Sequence, residues 1–375
     1  MSGLEYISKY WDDFYKKESV TMEHSSFASF CLPYVDKRSN MLDICCGNGR
    51  DSIFFANNMV NVCAFDLHPI GNINFGYTIY NLENKTHGFV YDDNSFGSIY
   101  CRFVLHCMPE DIEDYILINS SHVLKDNGLL FIEARSDKGV IPDNLQNHYR
   151  RLINKDSLIQ KIENLNFEII EIDERDGLSI YNNEDPVLIR IVAKKKGIIE
   201  INSKLTWDEW YIPNRHLNEE SSTHLLLSTK KVLDSHNISF WVIFGTLLGI
   251  YRDKKFIEYD TDIDLGIKYN DITKVLDIIN EGYFAIYGLS FIRDASPHLY
   301  SLRYKDDYID LDFFAKIKNL YRCAIHIIIP SQIEHPPTEI TFLDHTFNTV
   351  NDIEKYLRYV YGNWKIRIRN KHARK

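Results

Sequence analysis

In the first half of the chain, short apolar segments rich in strand-forming residues alternate with segments of helical pattern. This alternation predicts parallel strands joined by crossover helices, which is the α/β class. The last two strands are separated only by the turn-rich stretch 176–186, so we expect an antiparallel hairpin that closes the sheet. The predicted strands are Met41–Cys45, Val62–Phe65, Ser98–Phe103, Leu129–Glu133, Phe167–Ile172 and Val187–Ala193, and the predicted helices are Asp51–Asn57, Glu110–Leu124 and Lys155–Leu165.

The length of 375 residues predicts two domains. A short basic stretch that ends in glycine, Lys194–Gly197, marks the expected boundary, so the first domain is residues 1–197 and the second is residues 198–375. In the second part we expect several strands in quick succession. The other elements predicted there are a docking segment at Trp207–Pro213, a helix at Glu219–His236, a strand at Phe240–Phe244 and a closing helix at Asp352–Tyr361.

Composition excludes several classes of function. A formal net charge of −10 argues against a dedicated nucleic-acid binder. No basic region followed by an apolar core opens the sequence, and no apolar run approaches the length of a membrane span, so we expect a cytoplasmic protein. The 7 cysteines show no C-x-x-C spacing, which favours free thiols in a reducing compartment over disulfides or a zinc site.

A turn with two glycines stands between the first predicted strand and the first predicted helix. Gly47 and Gly49 permit positive φ and let the backbone approach a ligand closely. The helix that follows offers free N–H groups to that ligand. Asp66, at the end of the next strand, can accept both hydroxyls of a ribose. The pattern predicts a nucleotide-type cofactor; a nicotinamide-binding domain would want a third glycine where Ser52 stands.

The same segment resembles the class I S-adenosylmethionine (SAM) dependent methyltransferases. The resemblance rests on Asp43 early in the glycine-turn segment, on Phe96–Tyr100 as the start of the fourth strand, and on Arg102–His106 after it. It implies a Rossmann-like seven-stranded α/β domain over about residues 35–195, a normal domain length, with SAM as cofactor. The residues that it assigns to cofactor binding are Asp43, Cys46, Gly47, Asn48, Gly49, Asp66, Asn81 and Arg102.

Two features beyond the cofactor segment are candidates for the methyl acceptor. His106 follows the fourth strand, where the acceptor should arrive, and could serve as a base; a partly buried structural histidine is the alternative. Arg150 and Arg151 could clamp a phosphate or carboxylate of the acceptor, unless they only begin a solvated helix.

In the second half, acidic residues alternate with apolar ones in two separate segments. Asp260, Asp262 and Asp264 project to one side of a strand if that strand begins early enough, and Asp310 and Asp312 repeat the pattern. Carboxylates crowded on one face are costly unless a cation neutralises them. Hard divalent ions such as Mg²⁺ take oxygen ligands and leave room for substrate phosphates. The pattern therefore predicts a metal-dependent site.

These segments resemble the nucleotidyltransferase fold and, more narrowly, the LicD/fukutin family. The resemblance rests on Gly245–Gly249, Arg252, the two acidic segments and the closing stretch Tyr356–Trp364. It implies an α+β domain in which Asp262, Asp264 and Asp312 hold Mg²⁺ or Mn²⁺, with Asp312 also a base. Gly245, Thr246 and Arg252 would contact substrate, and Asp260 and Asp310 would support the site. The family moves a phospho-alcohol from a CDP-linked donor to a glycan hydroxyl.

Together the two resemblances imply a bifunctional enzyme of surface-glycan decoration, which transfers a phospho-alcohol and methylates the same product or its substituent. The alternative is a nucleotidyltransferase that attaches NMP from an NTP to a small molecule or protein, fused to a metabolite methyltransferase. The expected partners are the CDP-linked donor and a glycan or lipid-linked glycan acceptor, without nucleic acid. The basic tail could touch the inner face of a membrane or be a solvated end; its residues are Lys365, Arg367, Arg369, Lys371, Arg374 and Lys375.

Overall fold

The computed structural model describes residues 10, 11, 14, 21–67, 75–80, 82, 88–140, 149–180, 184–197, 216–257, 259–296, 299–317, 320–322, 327–328 and 338–366, without side chains for 293–296, 317, 320–322 and 327–328. The chain folds into two compact units, residues 1–200 and 201–375. Within the described residues, no helix combines the length and the apolar character that crossing a bilayer requires.

The first unit is built on a seven-stranded sheet with the order β3-β2-β1-β4-β5-β7-β6. β1 to β5 run parallel, and β7 pairs antiparallel with both β5 and β6. The strands are β1 Asn40–Ile44, β2 Asn61–Asp66, β3 Gly76–Ile79, β4 Phe96–Arg102, β5 Leu124–Arg135, β6 Phe167–Arg175 and β7 Leu188–Lys195. The helices are α1 Ser26–Cys31, α2 Arg50–Asn57, α3 Glu110–Val123 and α4 Lys155–Asn164, with single 3₁₀ turns at Leu32–Tyr34 and Leu105–Cys107. The predicted parallel sheet with its antiparallel hairpin is confirmed; seven strands were expected, but the position of β3 was not predicted.

The centre of this sheet is covered on both faces, as parallel strands require. β1, β4 and β7 are almost wholly buried. Tyr100 on β4 joins two helices to the sheet, because its ring lies 5.2 Å from the ring of Phe27 on α1 and 5.2 Å from that of Phe55 on α2. All three rings are inaccessible to solvent or nearly so. Their packing fixes α2, and with it the turn that precedes α2, against the sheet.

The second unit has a mixed sheet with two parallel strands at its centre. β12 pairs parallel with β9 and antiparallel with β11, while β8 continues the sheet beyond β9. The strands are β8 Phe240–Val242, β9 Ile263–Lys268, β10 Ser290–Ser296, β11 Leu299–Tyr304, β12 Asp307–Ile317, β13 Leu320–Arg322 and β14 Ile327–Ile328, with a separate hairpin of β15 Thr338–Phe342 and β16 His345–Thr349. The helices are α5 Glu219–Ser235, α6 Phe244–Leu248, α7 Ile272–Glu281 and α8 Ile353–Tyr361, with a π turn at Gly249–Asp253 and 3₁₀ turns at Tyr269–Asp271 and Ala285–Tyr287.

The start of α5 is anchored to the start of β12. Asp307 is buried and accepts hydrogen bonds from the Ser221 hydroxyl, from the Ser222 hydroxyl at 2.9 Å and from the Asn218 amide N–H at 3.2 Å. Asn218 in turn caps the helix by accepting from the Ser221 N–H. This packing leaves the apolar side of β12, with Ile309 among its fully buried residues, in the core. The acidic side of β12 therefore faces the opposite direction.

One strand of the second unit is shorter than predicted. The strand expected at Phe240–Phe244 ends at Val242, because Phe244 takes a positive φ of 44° and begins α6. The docking segment expected at Trp207–Pro213 lies outside the described residues, as do the tail residues from 367 onward. The helices expected at Glu219–His236 and Asp352–Tyr361 are confirmed to within one residue at either end.

Candidate functional sites

The first site is the turn between β1 and α2. Cys45, Gly47 and Gly49 all have positive φ, at 52°, 60° and 77°. The two glycines adopt this left-handed conformation without the cost that a Cβ atom would add. The predicted need for positive φ at both glycines is therefore confirmed. The turn leads into the first N–H groups of α2, which face the space above the carboxyl end of β1.

Two buried carboxylates hold this turn in place. Asp66, at the end of β2, accepts a hydrogen bond from the Gly47 N–H at 2.9 Å. Asp43 on β1 accepts from the Ser52 hydroxyl at 2.5 Å, so the residue at the third-glycine position ties α2 to β1. Burial raises the pKa of the Asp43 carboxyl well above its usual range, while the Ser52 hydrogen bond acts in the opposite direction. Asp43 therefore orders the glycine turn from behind, through α2.

A further carboxylate, which the sequence did not single out, holds the segment before α1 against the turn. Asp51 is buried and accepts from the Ser25 N–H at 2.7 Å, the Ser25 hydroxyl at 2.8 Å and the Tyr100 hydroxyl at 2.8 Å. Nearby, the Asn48 side-chain amide donates to the Thr21 carbonyl at 3.0 Å. The segment at residues 21–25 therefore becomes one wall of the space beside the glycine turn.

That space is a cavity of about 850 Å³. It is lined by most of the residues assigned to cofactor binding, namely Asp43, Cys46, Asn48, Asp66 and Arg102. Tyr80, Leu82 and the aromatic residues Tyr10, Trp11 and Phe14 also line it. Asn81 lies outside the described residues, so its assignment stays a prediction. A cavity of this size can enclose a cofactor and part of a second small molecule.

Under the cavity, a fully buried glutamate joins three strands. Glu133 on β5 accepts from Arg102 Nε on β4 at 2.9 Å and from Arg190 Nε on β7 at 2.6 Å. Arg190 also donates to the Leu178 carbonyl at 2.9 Å and the Ser26 hydroxyl at 2.8 Å. Arg102 keeps a place in the cavity wall, but its Nε is held by Glu133. We refer to Glu133, Arg102 and Arg190 as the buried triad.

His106 lies behind the wall of the cavity. Its side chain is 1% exposed, and it is absent from the residues that line the cavity in the described part of the chain. Its Nδ1 accepts a hydrogen bond from the Arg135 N–H at 3.2 Å, and its carbonyl accepts from the Arg151 N–H at 2.9 Å. This placement matches the structural alternative, and a base role for His106 stays a prediction that the geometry does not favour.

The two arginines expected to act together are separated by their partners. Arg151 Nε donates to the Met108 carbonyl at 2.8 Å, and its guanidinium forms an ion pair with the buried Glu113. Arg150 instead lines the cavity, where Arg135 from the end of β5 is a second lining arginine. The expected clamp of Arg150 with Arg151 is therefore not the arrangement in the structure, because Glu113 draws Arg151 towards α3.

The second site lies where β9 and β12 run side by side. Their parallel register pairs Asp264 with Asp310 and Gly266 with Asp312. Paired residues of parallel neighbours point to the same face, so the three carboxylates share one side of the sheet. Asp310 and Asp312 are 7% and 6% exposed, whereas Asp262 and Asp264 are partly exposed. The two acidic segments therefore meet, although they are more than 40 residues apart in the sequence.

The first residues of α6 lie directly against these acids. The Thr246 hydroxyl accepts a hydrogen bond from the Asp264 N–H at 2.8 Å. A Cβ atom at position 245 would lie 2.1 Å from Asp260 Oδ2, so only glycine leaves room for that carboxylate. Asp260 Oδ1 also accepts from the Thr261 N–H at 3.2 Å. Gly245 and Thr246 thus shape the acidic site through close packing and one backbone contact.

The electrostatics show how crowded this site is. Asp264 is partly exposed as a residue, but the surrounding protein removes water from its carboxyl group. This desolvation is the main reason that the pKa of the Asp264 carboxyl is raised well above its usual range. The nearby negative charges raise it further, in the order Asp262, Asp260, Asp312 and Asp310. Two of these acids also have hydroxyl partners, since the Ser301 hydroxyl donates to Asp310 and the Tyr308 hydroxyl donates to Asp262 at 3.4 Å. The charges of the other four acids therefore all act on the Asp264 carboxyl.

The donor chemistry of this group suits a hard cation. Its side chains offer only oxygen, the ligand type that Mg²⁺ and Mn²⁺ take in proteins. A divalent ion would also offset the repulsion that raises the pKa of Asp264. Among the described residues, however, no three acidic, histidine or cysteine side chains stand close enough to hold a metal ion as they are. The assignment of Asp262, Asp264 and Asp312 as ligands stays a prediction.

Arg252 is engaged within the fold. Its Nε and Nη2 donate to the neighbouring Asp253 carboxylate, the shorter distance being 2.8 Å, and its Nη1 donates to the Trp364 carbonyl at 3.0 Å. It therefore ties the π turn to the segment after α8. Contact between Arg252 and a substrate phosphate stays a prediction.

The seven-stranded sheet of the first unit is typical of Rossmann-like methyltransferases, and family models match parts of both units. A methyltransferase domain model matches residues 19–172. The model described as "LicD/FKTN/FKRP, nucleotidyltransferase domain" matches residues 237–349. The chain is thus similar to a methyltransferase domain over one part of its length and to a LicD-type domain over another.

Two curated relatives match parts of the chain. The probable methyltransferase ltbC of Aspergillus luteorubrus is 27% identical over 158 residues, 36% of this chain and 55% of its own length. An uncharacterized protein of Rickettsia prowazekii is 33% identical over 69 residues, 18% of this chain and 26% of its own length. The chain spans about half of the first relative and about a quarter of the second.

Solved structures with a similar fold include methyltransferases. The 1,6-didemethyltoxoflavin-N1-methyltransferase of Burkholderia thailandensis, with bound 1,6-didemethyltoxoflavin and S-adenosylhomocysteine, aligns with a TM-score of 0.43 at 14% identity, covering 52% of this chain and 92% of that chain. A SAM-dependent methyltransferase from Anabaena variabilis aligns with a TM-score of 0.41 at 16% identity, covering 52% and 96%.

Proposed function

We propose that the second domain transfers a phospho-alcohol from a CDP-linked donor to a glycan hydroxyl, and that the first domain uses SAM to methylate the same product or its substituent. The register of β9 and β12 is the main support for the transfer reaction, since it brings Asp264, Asp310 and Asp312 to one face. The LicD match over residues 237–349 supports the same hypothesis.

In this proposal the acids divide the work. Asp262 and Asp264 would hold Mg²⁺ or Mn²⁺, which, when bound, supplies neutralisation of charge on the transferred phosphate. Asp312 would accept the proton of the acceptor hydroxyl from its buried position beside Gly266. Thr246 keeps the backbone of Asp264 in place. The remaining contribution is alignment of the donor and acceptor.

In the first domain, the glycine turn and Asp66 would hold the nucleoside part of SAM, and the segment at residues 21–25 would close over it. Methyl transfer depends mainly on the approach and alignment of the nucleophile and the methyl group. The cavity of about 850 Å³, which runs from the glycine turn to the ends of β4 and β5, supports the joint binding of cofactor and acceptor.

The test uses the full chain with Mg²⁺, CDP-ribitol or CDP-choline and a glycan acceptor, with CMP release as the readout. Asp262→Ala should abolish CMP release and leave S-adenosylhomocysteine binding unchanged, because the two sites belong to different domains. A thermal-shift screen with SAM and the CDP-linked compounds, with and without Mg²⁺, finds the donor first, since a ligand that prefers the native state raises its stability. Absence of any metal-dependent phosphate transfer would contradict the proposal.

A second candidate for the same acidic site is transfer of NMP from an NTP. It is favoured by the description of the matching family model, which names a nucleotidyltransferase domain. Release of pyrophosphate from an NTP, in place of CMP from a CDP-linked donor, would decide for this candidate.

A further inference from the structure

Two arginines of the first domain line the cavity and carry unused hydrogen-bond donors. Both Arg135 and Arg150 line it, and Arg135 is 6% exposed. Nε of Arg135 and both Nε and Nη1 of Arg150 are buried and meet no hydrogen-bond acceptor in the described part of the chain. Buried donors without acceptors are costly, and native structures contain few of them. These three donors belong to two side chains of one cavity wall, and they would gain acceptors if both side chains turn towards a bound ligand.

The charges around these atoms do not cancel. Glu184 pairs with Arg135, with Nη2 and Oε2 2.9 Å apart, and this carboxylate also lines the cavity. Burial, and then the charge of Arg135, lowers the pKa of the Arg150 guanidinium. A guanidinium nevertheless stays charged in proteins. Among these three side chains, the two positive charges of Arg135 and Arg150 face the one negative charge of Glu184. One anion bound between the arginines would balance them.

The position of this arginine pair corresponds to the acceptor, and the cofactor turn lies elsewhere in the sheet. Arg135 ends β5, which is separated from β1 and its glycine turn by β4. With neighbouring strands about 4.8 Å apart, β5 lies about 10 Å from β1. Arg150 reaches the same end of the sheet because the segment after it returns along β5, where the Ile153 N–H donates to the Arg135 carbonyl at 2.9 Å.

We propose that the methyl acceptor carries an anionic group, a carboxylate or a phosphate, which Arg135 and Arg150 bind together. The inference rests on the proposed SAM-dependent function of the first domain and adds the substrate class. Planar guanidinium groups donate two parallel hydrogen bonds to such anions, so the pair also orients the acceptor. Both side chains would turn towards the anion, because these three donors have almost no accessible surface before the anion binds. Both are positioning residues, which bind away from the reacting atoms.

The test measures anion binding by isothermal titration of the full chain saturated with S-adenosylhomocysteine. The probes are inorganic phosphate and glucuronate, and glucose is the uncharged counterpart of glucuronate. Arg150→Gln should weaken the binding of both anions about tenfold or more, the usual effect of losing a charge-assisted hydrogen bond. Arg150→Lys should restore part of it, since the charge remains without the planar fork. S-adenosylhomocysteine affinity should stay the same.

Arg175→Gln is the matched control. Arg175 is exposed and pairs with Asp173 on β6, so its loss removes the same charge outside the cavity. Asp262→Ala serves as the second control, because phosphate bound in the second domain should respond to that variant and not to Arg150→Gln. Arg150 is preferred over Arg135 as the variant, since Arg135 also forms the ion pair with Glu184.

Three results would overturn the inference. Anion affinity that is equal in the wild-type chain and Arg150→Gln would do so, as would glucose binding as tightly as glucuronate. A loss of S-adenosylhomocysteine affinity in Arg150→Gln that matches the loss of anion affinity would assign the arginines to the cofactor carboxylate. If the wild-type chain binds no S-adenosylhomocysteine, the proposed methyltransferase function itself fails; binding of the cofactor without the anions rejects only the inference.

Discussion

The packing of Gly245 against Asp260 gives a quantitative test of how the acidic site is built. In Gly245→Ala the added Cβ would lie 2.1 Å from Asp260 Oδ2 and 3.1 Å from its Cγ, where ordinary contacts begin near 3.4 Å. The carboxylate must therefore move by about 1 Å and give up its hydrogen bond from the Thr261 N–H. Hydrogen bonds to charged groups contribute about 1.5–3 kcal/mol, and alanine in a helix returns up to about 1 kcal/mol.

We therefore expect Gly245→Ala to lower the unfolding free energy of the second domain by about 0.5–2 kcal/mol, and to impair phosphate transfer because Asp260 is displaced. The clash is specific to one carboxylate. In the Asp260→Ala background, adding Gly245→Ala should cost nothing further and gain up to about 1 kcal/mol. Phosphate transfer should stay impaired in the double variant, since the carboxylate is absent.

Differential scanning calorimetry of the full chain measures these changes. S-adenosylhomocysteine raises the transition of the first domain if it binds there, which identifies the other transition as that of the second domain. Gly76→Ala on β3 is the matched control, because its Cβ would meet its nearest atom at an ordinary 3.5 Å. Equal destabilisation by Gly245→Ala with and without the Asp260 carboxylate would refute the packing argument.

Two further predictions concern buried charges. The raised pKa of Asp264 means that the folded second domain favours the protonated carboxyl. The stability of this domain should therefore fall as the pH rises from about 4, the pKa in the unfolded chain, through the raised pKa of the folded state. Asp264→Asn should flatten this decline in calorimetric scans at several pH values. Burial lowers the pKa of Lys161, but the carboxylates of Glu113, Asp114 and Glu110 outweigh this effect and raise it. Lys161 therefore contributes stability that is complete below about pH 10 and is lost as the pH rises through the raised pKa. Lys161→Met should therefore cost the first domain about 3–5 kcal/mol in denaturant unfolding at pH 7 and leave the second domain unchanged, and a cost below about 1 kcal/mol would contradict this.

The sequence predicted the first sheet well because its signals are local. Apolar runs of strand length that alternate with helical periods indicate parallel strands, and the turn-rich stretch 176–186 indicates the hairpin. The glycine turn was recognisable because Gly47 and Gly49 stand at the junction of strand and helix. β3 was missed because Gly76–Ile79 is four residues long and carries two exposed positions, which leaves little apolar pattern to detect.

The side-chain partners in the sites could not be predicted in the same way. Asp51 follows the glycine turn and looks like an ordinary acid in the first turn of a helix; its bonds to Ser25 depend on how the earlier segment folds back. In the sequence Arg151 is equivalent to Arg150, and only the structure shows that Arg151 pairs with Glu113 on α3. The approach of β9 to β12 could be predicted only because both segments alternate acidic and apolar residues with a period of two.

The buried triad limits how the first domain can vary in sequence. Glu133 is inaccessible to solvent and balances two arginines that reach it from different strands. Exchange of Glu133 alone would leave two cations without their shared carboxylate, and exchange of Arg102 or Arg190 alone would leave an unbalanced charge at a largely buried site. Sequence drift at these three positions is therefore expected to be concerted, so that natural variants keep the whole set or replace it with a neutral one.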